Sequence, residues 1–212
     1  MPTDELFTRQ AIVLAIALIY WVGVMIQARS VRHKIGRQPN VRPRGTRERV
    51  LWAGWVLVVV TWMTLPFVVG LETGNALLDL SPALLHPAGL VLGTALILGG
   101  YAGTHWCYVS MGDTWRMGID HDEQTTLVMR GPYSTVRHPI YLFQVILLVG
   151  VLVLLPAPLA LLILPVHLIC VWFKLTDEEA HLLKLHGQDY RDYCSQTGRL
   201  LPGLFRKAPG NR

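Results

Sequence analysis

The strongest constraint on this chain is the way its apolar residues are grouped. They come in blocks of roughly 16 to 25 residues with hardly a charge inside, and a membrane-crossing helix needs about 20. A 52% hydrophobic content would also suit a soluble core. The blockwise distribution argues against one, because a helix at the surface of a soluble core shows a polar face. Five blocks can be marked, at 11–26, 50–70, about 83–107, 140–155 and 157–173. The last two are short for spans and are broken by Pro156-Ala157-Pro158, which predicts a tight helical hairpin. At 212 residues the chain is expected to form one domain, 1–212, with the first three spans in 1–107 and a more polar part in 108–212.

Charge gives the expected orientation. Of 19 Lys and Arg, all but Arg9 fall in three segments. These are the connector after the first span, the insert at 108–139, and the chain from Lys174 onward. With five spans all three lie on one side, which the positive-inside rule makes cytoplasmic, with the N-terminus outside. The first connector, with Arg29, Arg32, Lys34, Arg37, Arg42, Arg44, Arg47 and Arg49, reads as a polybasic topology signal that meets anionic lipid. The basic residues flank apolar blocks and form no stripe with interleaved aromatics, so the net charge of +5 does not point to nucleic acid. Cys107, Cys170 and Cys194 are odd in number and lack a C-x-x-C, which implies neither a disulfide framework nor a zinc site. No metal is assigned, and His121-Asp122-Glu123 is taken as a solvated turn. The N-terminus shows no small-residue cleavage site, so the first block is read as a retained helix.

Two further features concern packing. Gly89/Gly93 and Gly99/Gly103 have the small-xxx-small spacing that lets helices approach closely. Thr176-Asp177-Glu178-Glu179 fits a capping box and predicts a helix start there, followed by an amphipathic helix with Gly187 inside it.

The chemistry concentrates in Arg130 to Tyr141, RGPYSTVRHPIY. Gly131-Pro132 and His138-Pro139 interrupt regular helix, while Tyr133, Arg137, His138 and Tyr141 supply rings and donors. That combination exceeds what a loop between membrane helices needs, and predicts a ligand-holding segment. If helix runs back through 174–178, Lys174 lies one turn before Glu178 on the same face. A surface ion pair and a joint ligand contact are both open for that pair. A nucleophile elbow, a P-loop and G-x-G-x-x-G are absent from the sequence.

G-P-Y-x-x-x-R-H-P-x-Y, preceded by Leu127-Val128 and followed by an apolar hairpin, resembles the signature of the isoprenylcysteine carboxyl methyltransferase family. The related membrane phospholipid methyltransferases carry a similar region. The C-terminal part is similar as well: Glu178-Glu179, Leu182, Gly187, Tyr190, Tyr193, Arg199 and Pro202 fall in the family's order. The resemblance covers about 111–202. It implies an all-α integral membrane protein with about five transmembrane helices, the last two a tight helical hairpin. A C-terminal amphipathic helix and a cytoplasmic cofactor-binding insert complete that fold.

The implied cofactor is S-adenosyl-L-methionine. The residues implied to bind it are Thr125, Thr126, Leu127, Val128, Tyr133, His138, Pro139, Ile140, Tyr141 and Glu178. Lys174 and Arg137 are the candidate catalytic residues, with Lys174 at the position near the reacting carboxylate. The family usually has Arg there, and Lys cannot form the bidentate fork. Thr125 replaces a usual His. The implied activity is methyl transfer to a lipophilic acceptor, such as the carboxylate of a prenylcysteine-like substrate, at the cytoplasmic face. Phospholipid ethanolamine N-methylation is an alternative, and a sterol-reductase-like NADPH oxidoreductase is a different class. The expected partners are the bilayer and a lipophilic or lipidated acceptor.

Overall fold

The computed structural model describes residues 3–36, 43, 45–71, 74–116 and 126–203. Among them the regular structure is helical throughout. Helix α1 is Thr3–Ile35, α2 Thr46–Val68, α3 Pro87–Met111, α4 Pro139–Leu154, α5 Pro158–His186 and α6 Gln188–Gln196. Four of these (α1, α2, α3 and α5) are long and apolar enough to cross a membrane. Helix α4 has 16 residues, or about 24 Å at 1.5 Å per residue, less than the ~30 Å hydrocarbon core. The apolar helices make this an integral membrane protein.

Successive helices run in opposite directions, as the contacts at each end show. At one end Lys34 pairs with Asp113 at 2.8 Å and Arg47 with Asp177 at 3.0 Å. At the other, Gln10 donates to the Val69 carbonyl at 3.1 Å, and the Ser81 amide to Pro156 O at 2.9 Å. The chain's remaining basic residue, Arg9, is fully buried at this second end. Its guanidinium donates to Leu154 O at 3.3 Å, His86 O at 2.8 Å and the Glu5 carboxylate at 2.9 Å. Arg9 thus satisfies carbonyls at the end of α4 that have no intrahelical partner.

Helices α3 and α4 make the closest approach in the bundle, through one glycine of each expected pair, Gly93 and Gly103, and through Gly100. A Cβ on Gly93 would lie 2.7 Å from Leu154 Cγ, and one on Gly100 2.7 Å from Phe143 O. A Cβ on Gly103 would meet the Phe143 ring, while one on Gly99 would meet nothing within 4 Å. The seam is Gly93, Ile97, Gly100, Thr104 and Cys107, alternating steps of four and three, all buried. A long shared interface follows this 3.5-residue period, with Gly103 buried beside it against Phe143 and Gly99 turned away.

Two element boundaries differ from expectation. The polybasic segment is helical at both ends: Arg29, Arg32 and Lys34 extend α1, and Arg47 and Arg49 begin α2. Arg37, Arg42 and Arg44 lie outside the described residues. Arg and Lys are good helix formers, and cations suit a helix C-terminus, so the loss of apolarity marks a change of solvent and not a helix end. The capping box at Thr176 is also overturned. Helix α5 continues unbroken to His186, and the Thr176 hydroxyl donates within it to Trp172 O at 2.9 Å. The separate amphipathic helix is therefore the polar half of α5. Gly187, at φ +53°, ends it and turns the chain into the short α6.

Candidate active site

The polar half of α5 stands beside the start of α4, and the 130–141 motif is folded between them. Gly131 has φ +61°, which favours glycine. A side chain there would also collide with Ser110 on α3. From it a tight 3-10 turn, Gly131–Ser134, delivers a buried Tyr133. Tyr193 of α6 donates to Tyr133 O at 2.6 Å.

The chain beyond the turn pairs with the segment that follows α6. Gly198 N donates to Thr135 O at 3.0 Å, Arg137 N to Gly198 O at 2.8 Å, and His138 N to Arg199 O at 3.2 Å. This short parallel pairing fixes the backbone just before Pro139, which opens α4 at its first turn, where a missing N–H costs nothing.

The side chains converge on Glu178 and Glu179. Tyr141 donates to Glu178 Oε1 at 3.0 Å. His138 places Nε2 3.2 Å from Glu179 Oε1 and Nδ1 3.5 Å from Glu178 Oε2. Arg137 Nε donates to Glu179 Oε1 at 3.1 Å, and its Nη1 reaches Cys194 O at 3.2 Å and also Thr197 O. Arg199 approaches Glu179 Oε2 at 3.2 Å and stacks over Trp172 at 4.6 Å. Lys174 lies over the Tyr141 ring, Nζ 5.7 Å from its centroid, within cation–π range.

Burial pushes the His138 imidazolium down. Hydrogen bonds to Glu178 and Glu179, and then their charges, outweigh this and leave its pKa above the ordinary 6.5. Burial likewise pushes the Tyr133 hydroxyl up, helped by Cys107 and by the charge of Glu178.

The structure therefore brings together Arg137, His138, Tyr141, Lys174 and Glu178, with Tyr133 adjoining. Pro139 is buried and Ile140 half-buried at the head of α4. Thr126 is exposed, Leu127 and Val128 are half-buried, and all three stand upstream of the cluster. Thr125 lies outside the described residues. Glu179 is the residue the sequence misplaced. The capping-box spacing gives it a local role, yet it meets two arginines and a histidine. The signal was present in two motif positions, Arg137 and Arg199, that needed an acidic partner in a largely apolar chain.

Chemically, Glu178 and Glu179 divide the work. Glu179 is committed to protein cations on both oxygens. Glu178 has about four acceptor sites in all, of which Tyr141 and His138 occupy two, so it can still receive a hydroxyl or ammonium. The aromatic face of Tyr141 already carries a cation, Lys174.

Fold and site thus define a helical integral membrane protein whose polar machinery lies at one end of the bundle. Residues 88–189 match the phospholipid methyltransferase family, so the methyltransferase resemblance read from the two motifs stands. A solved structure of the eukaryotic intramembrane Ras methyltransferase, isoprenylcysteine carboxyl methyltransferase, is similar at 22% identity and a TM-score of 0.49. That similarity covers 79% of this chain and 56% of that one, so this chain spans little more than half of that protein's length. The nickel-cobalt-cadmium resistance protein NccN of Alcaligenes xylosoxydans xylosoxydans is 27% identical over 164 residues, 76% of this chain and 68% of that protein. The matched stretch runs from α3 to the start of α6 and so contains both the 130–141 motif and Glu178-Glu179.

Proposed function

We propose that this protein transfers a methyl group from S-adenosyl-L-methionine to a lipophilic acceptor at the cytoplasmic membrane face, and that the acceptor atom is the carboxylate of a prenylcysteine-like substrate. The observation that carries this is the contact of Tyr141 with Glu178, beside a Lys174 ammonium, at the end of the bundle where the basic residues collect.

The donor set fits the cofactor. Spare acceptor capacity on Glu178 suits hydroxyl or ammonium groups, and the ring of Tyr133 suits a flat base. His138, Pro139, Ile140 and the 125–128 segment complete the candidate contacts. When bound, S-adenosylmethionine supplies a methyl group on a sulfonium, activated for in-line displacement.

The protein's own residues then orient and exclude. A carboxylate acceptor is already ionised and needs no base, so alignment is the main contribution, and it can reach about 7–11 kcal/mol. Lys174 pairs with the acceptor carboxylate as a point charge. Arg137 works through Glu179, bracing the carboxylate that in turn holds His138.

The test is transfer of labelled methyl from S-adenosylmethionine to N-acetyl-S-farnesylcysteine by the purified protein in detergent. The triple variant Glu178→Ala, His138→Ala, Tyr141→Ala is expected to lose about 100-fold or more in rate. Wild-type rates in that variant would sink the site assignment.

A second acceptor is favoured by one observation. Lys174 stands where a bidentate Arg would grip a carboxylate, and the matched family is described by phospholipids. Labelled N-methylated phosphatidylethanolamine from a lipid extract, with no product on the farnesyl probe, would decide for it.

A further inference from the structure

Helix α5 turns one face away from the rest of the bundle. Leu162, Pro165, Ile169, Trp172, Thr176 and Ala180 recur at steps of three and four, and all six are exposed. The face is apolar up to Trp172 and changes character there. Trp52, near the start of α2, and Trp106, near the end of α3, are exposed at 56% and 53%, and Trp172 at 56%. The alternating helix directions set these three indoles toward one end of the bundle, as a belt of aromatics at a membrane–water boundary does. An apolar lane thus runs along α5 and reaches the headgroup layer at Trp172.

Two guanidiniums flank the end of the lane. On one side Arg47, from the start of α2, lies 5.3 Å over the Phe173 ring and pairs with Asp177 at 3.0 Å. On the other side Arg199, from the turn after α6, lies 4.6 Å over the Trp172 ring. Its Nη2 donates to Thr176 Oγ1 at 3.0 Å, and its Nε lies 3.2 Å from Glu179 Oε2. Stacking and ion pairing hold both groups beside Thr176, and a guanidinium has more N–H groups than these contacts use. Arg47 is more than half exposed. Thr176 and Ala180 are small, which leaves the helix surface low between the two arginines.

Lys174 and Glu178 leave α5 on its far side, so the lane is separate from the candidate site. Arg199 joins the two, because its carbonyl accepts from His138 N at 3.2 Å.

We infer that this lane binds one phospholipid, with its acyl chains against α5 and its phosphate between Arg47 and Arg199, and that a headgroup of net negative charge is preferred. The bound lipid is a structural partner and not the methyl acceptor, so the inference stands independently of the reaction proposed above. Its consequence for the site is indirect. A lipid held by Arg199 pins the turn after α6, whose backbone pairs with the 130–141 motif.

The experiment places the full-length protein in phosphatidylcholine vesicles that carry the same minor share of brominated phosphatidylglycerol or brominated phosphatidylcholine. Bromine quenches indoles that it touches, and the difference between each protein and its Trp172→Phe version isolates Trp172. In the wild type, phosphatidylglycerol is expected to be enriched about fivefold or more at Trp172, as a basic side chain at an anionic membrane surface favours. Arg47→Gln and, independently, Arg199→Gln should each cut that enrichment by about half or more. Arg32→Gln removes the same charge from the exposed end of α1 and should leave it unchanged. Arg47 lies outside the turn after α6, so its variant covers the case in which Arg199→Gln merely loosens that turn. Equal quenching by the two lipids in the wild type would overturn the site. An equal fall in all three variants would overturn it too, since diffuse surface charge would then gather the lipid.

Discussion

At the scale of single residues, His138 shows how neighbours outweigh burial. Both ring nitrogens face carboxylates, Nε2 at 3.2 Å and Nδ1 at 3.5 Å, and only the imidazolium can donate from both. Its folded pKa is raised above the unfolded value. Its contribution to stability is therefore complete below about pH 6.5 and fades as pH rises through the folded value. Hydrogen bonds to charged groups contribute about 1.5–3 kcal/mol each. Thermal unfolding of the wild type in detergent should accordingly lose several degrees more between pH 6 and pH 9 than that of His138→Gln; parallel profiles would contradict it. Much of this cluster was legible beforehand, because Tyr133, His138, Tyr141, Lys174 and Glu178 sit at unusual positions in a largely apolar chain. Glu179 was misread because its spacing from Thr176 satisfied a local rule, while its partners Arg137 and Arg199 are 42 residues before it and 20 after. Arg9 too has a local partner, Glu5, four residues before it. Its acceptors, at His86 and Leu154, are visible only once α1, α3 and α4 are assembled.

At the scale of elements, the sequence marked where apolarity stops, and the structure shows that helices do not stop there. α1 and α5 each continue well past their apolar runs, because nothing in 27–35 or 174–186 breaks a helix; the glycines that follow, Gly36 and Gly187, have positive φ and do. The glycine contacts of α3 separate spacing from actual approach. Gly100 meets backbone: a Cβ there would lie 2.7 Å from Phe143 O and 2.9 Å from Leu147 N. Backbone atoms cannot swing aside. Gly100→Ala should thus destabilise the α3–α4 pair by about 1–3 kcal/mol, the usual range for overpacking. Gly99→Ala, one residue away in open space, should be neutral or stabilising by up to ~1 kcal/mol, since alanine suits a helix interior better than glycine. Denaturation midpoints of the two variants in the same detergent decide this; equal losses would mean that the helices approach through a different face.

At the scale of the whole molecule, the short α4 carries the site, and groups from distant parts of the chain finish both of its ends. Arg9 takes carbonyls at its C-terminal end, and the segment after α6 pairs with the backbone that leads into its N-terminus. Being too short to span unaided, α4 depends on this packing for its depth, and so does the motif at its head. The alternating helix directions put Lys34, Arg47, the motif and the polar half of α5 at one end, and Arg9, His86 and the 74–82 connector at the other. The connector at 71–82 has no Lys or Arg, so the charge asymmetry is nearly total. The positive-inside rule then predicts that the end with the Glu178 cluster faces the cytoplasm. A cysteine placed at Asp79 and one placed at Ser195 report on opposite ends, and both positions are exposed. In a background with Cys107, Cys170 and Cys194 replaced by alanine, a membrane-impermeant maleimide applied to intact cells should label Asp79→Cys at once. Ser195→Cys should react only after the membrane is opened. The reverse pattern would place the Glu178 cluster outside the cell, away from cytosolic S-adenosylmethionine, and would remove the topological support for the proposed reaction while leaving the bundle itself untouched.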